Sequence, residues 1–147
     1  MAKEIERKFL VDKDKLKLPS KYTNIKQGYI ETKDNTAVRI RIADEQGFLT
    51  FKGENKGFVR DEFEYEIPFT DAIYMFDNLC SKRLSKKRYI INHDYNKWEV
   101  DVFSNDNEGL VLAEIELSHE HDTFEKPKWL CVEVSNDNQY YNSNLAV

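Results

Sequence analysis

Charges of one sign recur two residues apart in stretch after stretch of this chain. Glu4 and Glu6 share a face with Lys8, while Ile5 and Phe9 fall on the other. Arg39 and Arg41 alternate with Val38, Ile40 and Ile42, and Thr50 and Lys52 with Leu49 and Phe51. Arg60, Glu62 and Glu64 oppose Phe63, Tyr65 and Ile67. Lys86 and Arg88 follow, then Glu99 and Asp101 against Trp98, Val100 and Val102, and Glu114 and Glu116 against Ala113, Ile115 and Leu117. Alternation at period two is the signature of a strand, whose successive side chains point to opposite faces. One such strand needs only a core on one side and water on the other. Repeated pairs of a single sign are different, because like charges two residues apart repel unless something of opposite sign lies between them.

Runs 24–31 and 129–134 read as further strands with less regular patterns, and a domain of about eight strands is expected. The turns Asp44–Gly47, Gly53–Gly57 and Ser104–Gly109 join neighbours, and segments 38–43, 48–53 and 58–67 form an antiparallel meander. Helices are few. Thr70-Asp71 reads as the cap of a helix continuing to Cys80, a short amphipathic turn fits 12–18 ahead of Pro19, and Asn138–Val147 reads as a terminal helix. No linker or repeat divides residues 1–147, so a single mostly-β (α+β) domain is expected.

A closed antiparallel barrel accommodates this pattern, since residues i and i+2 both point in or both point out. With the charges inside, the apolar faces point outward and need helices to cover them. Unpaired buried charge costs several kcal/mol per ion, so such a lumen is a water-filled channel with a highly charged ligand. Its lysines and arginines suit an anion, and its carboxylates suit a hard divalent ion such as Mg²⁺ or Mn²⁺. Anion and hard metal together indicate a polyphosphate or a nucleoside triphosphate.

Composition narrows the classes further. The 147 residues carry 22 basic and 27 acidic side chains, and the net charge of −5 argues against a broad nucleic-acid surface. No run of 18 apolar residues spans a membrane. The opening MAKEIERKFLV lacks the apolar core of a signal peptide, so a cytoplasmic location is expected. Cys80 and Cys131 are then reduced, and two distant cysteines make neither a disulfide framework nor a zinc site. His119-Glu120-His121-Asp122 reads as a surface loop, and Trp98, Trp129, Tyr29 and Tyr89 as packing groups.

The motifs Glu4-Ile5-Glu6-Arg7-Lys8, Gln27-Gly28-Tyr29, Val38-Arg39-Ile40-Arg41, Leu49-Thr50-Phe51-Lys52-Gly53, Arg60-x-Glu62-x-Glu64, Lys86-Lys87-Arg88-Tyr89, Trp98 to Phe103 and Leu112 to Leu117 resemble, in order, those of the CYTH, or triphosphate tunnel metalloenzyme, superfamily. The resemblance covers nearly the whole chain. It implies an eight-stranded antiparallel tunnel with helices outside. It also implies Glu4, Glu6, Glu114 and Glu116 as metal ligands, and Lys8, Arg39, Arg41, Lys52, Lys86 and Arg88, with Arg60, as contacts to a triphosphate. Glu62, Glu64 and Asp101 would line the tunnel. Lys52 or Lys86 would serve as the acid for the leaving group, with Glu4 and Glu6 supporting catalysis through the metal. The expected activity is metal-dependent hydrolysis of tripolyphosphate. A class IV adenylyl cyclase, a thiamine triphosphatase and a non-catalytic polyphosphate-binding module are the alternatives, and a homodimer is one of the oligomeric states left open.

Overall fold

Alternation puts the like-signed pairs on one face of a curling sheet, and the sheet closes on that face. The computed structural model describes residues 3–147. Its strands are β1 (Lys3–Val11), β2 (Thr23–Ile30), β3 (Ala37–Ala43), β4 (Gln46–Lys52), β5 (Val59–Ile67), β6 (Lys82–His93), β7 (Asn96–Phe103), β8 (Val111–Glu116) and β9 (Leu130–Glu133). Neighbours run β5-β4-β3-β2-β6-β7-β8-β1, all antiparallel, and β1 returns to β5 through Lys3↔Asp61, Glu4↔Arg60 and Ile5↔Val59. This closes the expected eight-stranded barrel. The ninth strand, β9, takes the far half of the same edge of β1, opposite Phe9 and Val11.

The outside is covered in two ways. Helix α1 (Phe69–Asn78) lies over β3 and β4, where Ile40, Ile42, Ala72 and Cys80 are buried together. It starts one residue after Pro68, which is already near a helical φ at −54° and whose carbonyl accepts the Ala72 N–H. The expected cap at Thr70-Asp71 is therefore displaced, and Asp71 sits in the first turn, where its charge favours the helix dipole. Across the barrel the cover comes from loops rather than the helices expected. Phe9, Trp98, Val100, Ile115 and Trp129 form a buried cluster, and Leu16 and Phe124 from the loops after β1 and β8 pack on it. Trp98 meets Phe9 and Trp129 edge to face at 5.8 and 5.6 Å between ring centroids. Segment 12–18 makes only a turn on the Asp12 carbonyl, not a helix. Part of the β4–β5 wall stays bare, with Phe51, Phe63 and Tyr65 at 39%, 48% and 56% exposure.

The interior differs from a channel charged along its length. Tyr29, Leu84, Phe103, Leu112, Val134 and Ala146 bury one another inside one end of the barrel, joined by Leu10, Tyr140 and Leu145. The tail supplies this floor. Its expected single helix breaks at Tyr141, which is extended, into a 3-10 turn (Asn138–Tyr140) and α2 (Asn142–Leu145). Val147 then exchanges backbone hydrogen bonds with Arg83 of β6.

Candidate active site

Above that floor lies a cavity of about 230 Å³. Every charge expected to face the tunnel lines it except Asp101. Asp101 is buried just beneath, bound by Arg88 at 2.8 and 2.9 Å and by Lys86 at 2.7 Å. The registers Gln27↔Arg41, Arg39↔Thr50, Lys52↔Glu62, Arg88↔Asp101, Glu99↔Glu114, Lys8↔Glu114 and Glu6↔Glu116 explain the convergence. Antiparallel partners directly opposite present their side chains to the same face.

Most cations here have a carboxylate. Lys8 pairs with Glu114 at 3.4 Å, Lys52 sits between Glu4 (3.0 Å) and Glu62 (3.3 Å), and Arg88 also reaches Glu99 at 3.2 Å. Arg39 makes only a 3.4 Å approach to Glu64, and its buried Nε has no partner. Among the described residues Arg41 and Arg60 have no carboxylate within ion-pair distance. Gln27 holds Arg41, and the Gly53 carbonyl holds Arg60 at 2.9 Å. On the acid side Glu6 and Glu116 have no cation within the same distance among the described residues. Strand β3, with Arg39 and Arg41, lies four strands from β8 in either direction round the ring. The tunnel thus has surplus positive charge at Arg39 and Arg41 across from surplus negative charge at Glu116, while Arg60 on β5 adjoins the β1 strand that carries Glu6.

Burial and neighbours move the proton affinities accordingly. Burial, with Glu114 nearby, pushes Glu6 up to about 8. Burial also raises Glu4, against the pull of Lys52, and Glu116, with Glu4 and Glu99 adding to it. Glu114 goes the other way: burial would raise it, but Lys8 and the bases around it hold it down at about 2. Asp101 likewise resists burial and is held well below the carboxylate range by Arg88 and Lys86. Lys86 is brought down to about 7 by burial and by Arg88 and Arg41, with Asp101 opposing. The two directions agree physically, because two cations share one carboxylate and the second is in excess.

Among the described residues no three His, Cys, Asp or Glu side chains form a ready-made metal cluster. The four carboxylates expected as ligands, Glu4, Glu6, Glu114 and Glu116, all line the cavity, with Glu4 paired to Lys52 and Glu114 to Lys8. The donor set nonetheless fits a hard cation. Glu6 and Glu116 stand directly opposite each other on β1 and β8, both without a cation, and the high proton affinity of Glu6 marks a position that wants positive charge.

Gln27, Tyr29, Thr50, Asn142 and Ser135 also belong to the site, and charge patterning alone passed them over. Gln27 and Thr50 are fully buried on the tunnel face. Tyr29, expected to be only a packing group, lines the cavity as well as the floor. For Gln27, Tyr29 and Thr50 the missed signal was parity, since each lies two residues from a tunnel-facing neighbour on its strand. Asn142 accepts a hydrogen bond from Lys86 at 2.7 Å, and no strand pattern points to it. The loop at His119–Asp122 lies outside the cavity, as expected, and Trp98 and Trp129 pack on the outer wall.

A model of the CYTH domain matches residues 2–144. The chain belongs to the CYTH family. Curated CYTH relatives include an inorganic triphosphatase of Acetivibrio thermocellus, 45% identical over 99% of this chain and 94% of that protein. An inorganic triphosphatase of Nitrosomonas europaea is 34% identical over 98% of this chain and 97% of its own length. A crystal structure of an inorganic triphosphatase superposes with a TM-score of 0.69 at 31% identity, covering 99% of this chain and 95% of that one. The barrel fold is thus shared along nearly the full chain. No helix among the described residues is long and apolar enough to cross a membrane.

Proposed function

We propose that this protein hydrolyses inorganic tripolyphosphate in a divalent-metal-dependent reaction. The observation that carries the reading is unpaired charge of both signs lining one cavity. Arg41 and Arg60 lack carboxylates, Arg39 is only loosely held, and Glu6 and Glu116 lack cations, so the tunnel is neutralised by a polyanion and a hard cation together. The two curated relatives are inorganic triphosphatases, which favours an inorganic chain over a nucleotide.

In this reading Arg39, Arg41 and Arg60, with Lys8 and Arg88, hold the phosphate oxygens, Arg offering a planar fork and Lys a point charge. Glu6 and Glu116, with Glu4 and Glu114, would hold Mg²⁺ or Mn²⁺, which would supply neutralisation of the bound phosphate charge. Of the two lysines considered as acid for the leaving diphosphate, Lys86 is favoured. Its proton affinity near 7 lets it give up a proton at neutral pH, and Asp101 and Asn142 fix its position. Lys52 instead bridges Glu4 and Glu62. Glu62, Glu64, Glu99 and Asp101 orient the bases.

Phosphate release from tripolyphosphate, ATP and thiamine triphosphate, with cyclic AMP formation from ATP measured alongside, tests this under Mg²⁺ and under Mn²⁺. Tripolyphosphate is expected to be the fastest substrate. Cyclic AMP formed faster than phosphate would replace the hydrolase with a cyclase, and tight tripolyphosphate binding without turnover would replace it with a binding module. Changing Glu4 and Glu6 together to Gln is expected to abolish turnover with the fold retained by circular dichroism, and retained turnover would remove the metal assignment.

A further inference from the structure

Two partly buried arginines of the tunnel are gripped in opposite ways. Arg88 makes two hydrogen bonds to the Asp101 carboxylate and is largely neutralised by it. Arg41 also makes two, from Nε at 3.0 Å and Nη2 at 2.9 Å, but both go to the amide oxygen of Gln27. Arginine only donates, so this contact fixes the amide's orientation and leaves Nε2 as the donor side. Nε2 then reaches the Tyr29 hydroxyl at 3.0 Å and Asn142 Oδ1 at 3.3 Å. Gln27 is 0% exposed, so its side chain is locked by these partners. Burying a neutral amide among charges is otherwise unfavourable unless its groups are satisfied, and here both ends are.

We infer that Gln27 is a positioning residue that aims the Arg41 guanidinium into the tunnel while leaving its charge uncancelled. An aspartate or glutamate would hold Arg41 equally well but would occupy it as Asp101 occupies Arg88. The amide fixes Nε and one Nη2 hydrogen, and Nη1 remains for a phosphate oxygen. The same amide ties Arg41 to Lys86 through Asn142, whose Oδ1 accepts from both Gln27 and Lys86. A cation of the β3 wall and the buried lysine are therefore set relative to each other by one neutral relay running through the tail.

This inference rests on the triphosphate reading, and its test separates the two. The decisive variant is Gln27→Glu, nearly the same shape, which converts the Arg41 contact into a carboxylate pair. Wild type and variant are compared in steady-state hydrolysis of tripolyphosphate and in calorimetric binding of tripolyphosphate without divalent metal. The variant is expected to raise KM and the metal-free Kd by about tenfold or more, the scale of one charge-assisted hydrogen bond. Its kcat is expected to fall as well, because the carboxylate has no donor for Asn142 Oδ1, which also accepts from Lys86; the metal-free Kd, which does not involve proton transfer, isolates the effect on Arg41. In an Arg41→Gln background the same change is expected to add little. Gln27→Met keeps the volume, removes the acceptor and serves if Gln27→Glu melts early; it too is expected to weaken binding. A folded variant that binds tripolyphosphate within about twofold of wild type overturns the positioning role. A wild type that neither binds nor cleaves tripolyphosphate overturns the triphosphate reading instead, and this inference with it.

Discussion

Arg7 sits inside the first charged motif yet points away from the tunnel. Its guanidinium reaches Glu133 on β9 by two bonds, at 2.8 and 2.6 Å, and stacks 5.0 Å from the Phe58 ring and 5.1 Å from the Phe124 ring. One side chain thus pins β9 and two loops to β1 where β5 and β9 divide its edge. The hydrogen bond to Arg7 lowers the Glu133 proton affinity, so the pair contributes fully above the ordinary carboxylate range and is lost as pH falls through the depressed value. With both groups about three-quarters buried the pair contributes on the order of 1 kcal/mol. Glu133→Gln is expected to lower the melting temperature by roughly 2–4 °C at pH 7, with the gap closing as pH falls below the ordinary carboxylate range. A gap that stays constant across that range would show the stabilisation to be packing against the rings rather than charge. Alternation could place Arg7 on the outer face beside Ile5 and Phe9. It could not name Glu133, 126 residues away, because nothing local links them.

At the level of elements, helix α1 is seated by the absence of a side chain. A Cβ added at Gly47 would stand 2.4 Å from Ala72 Cβ, and one at Gly28 would stand 3.1 Å from Phe76 Cδ2 and 2.5 Å from Cys80 Sγ just past the helix. The helix rests on β2 and β4 at a distance only glycine permits. Gly47→Ala is expected to destabilise by about 1–3 kcal/mol in urea denaturation, through overpacking under the helix. Adding Ala72→Gly is expected to recover part of that loss despite the cost of a helical glycine. Additive losses would place the strain elsewhere. The strands themselves were legible because their alternation is strict and their turns carry Gly, Asn and Asp. The tail was not, since Tyr140, Tyr141 and Leu145 suit one helical face while their packing inside the barrel demands a break at Tyr141.

For the whole molecule, the tail decides where the barrel is wet and where it is dry. Ala146 lies fully inside the apolar floor formed with Tyr29, Leu84, Phe103, Leu112 and Val134. Ala146→Asp puts an unpaired carboxylate there and is expected to cost about 3 kcal/mol or more, read as an early melt with dye-binding apolar surface exposed. Ala146→Ser, with a hydroxyl that needs only one partner, is expected to cost much less. Equal melting of all three proteins would show the floor to be dispensable. The amino-acid order by itself determined the parity of each strand, hence which residues share a face, that the charged face suits a closed lumen, and that the lumen suits a polyanion with a hard cation. Parity is local, fixed by the backbone pleat within a few residues. The tertiary structure alone decided which acid neutralises which base, that Arg41 is left to an amide and Glu6 to no cation, and that the tunnel ends on an apolar floor. Those outcomes depend on inter-strand register and on where loops and tail come to rest, contacts between residues far apart in the chain.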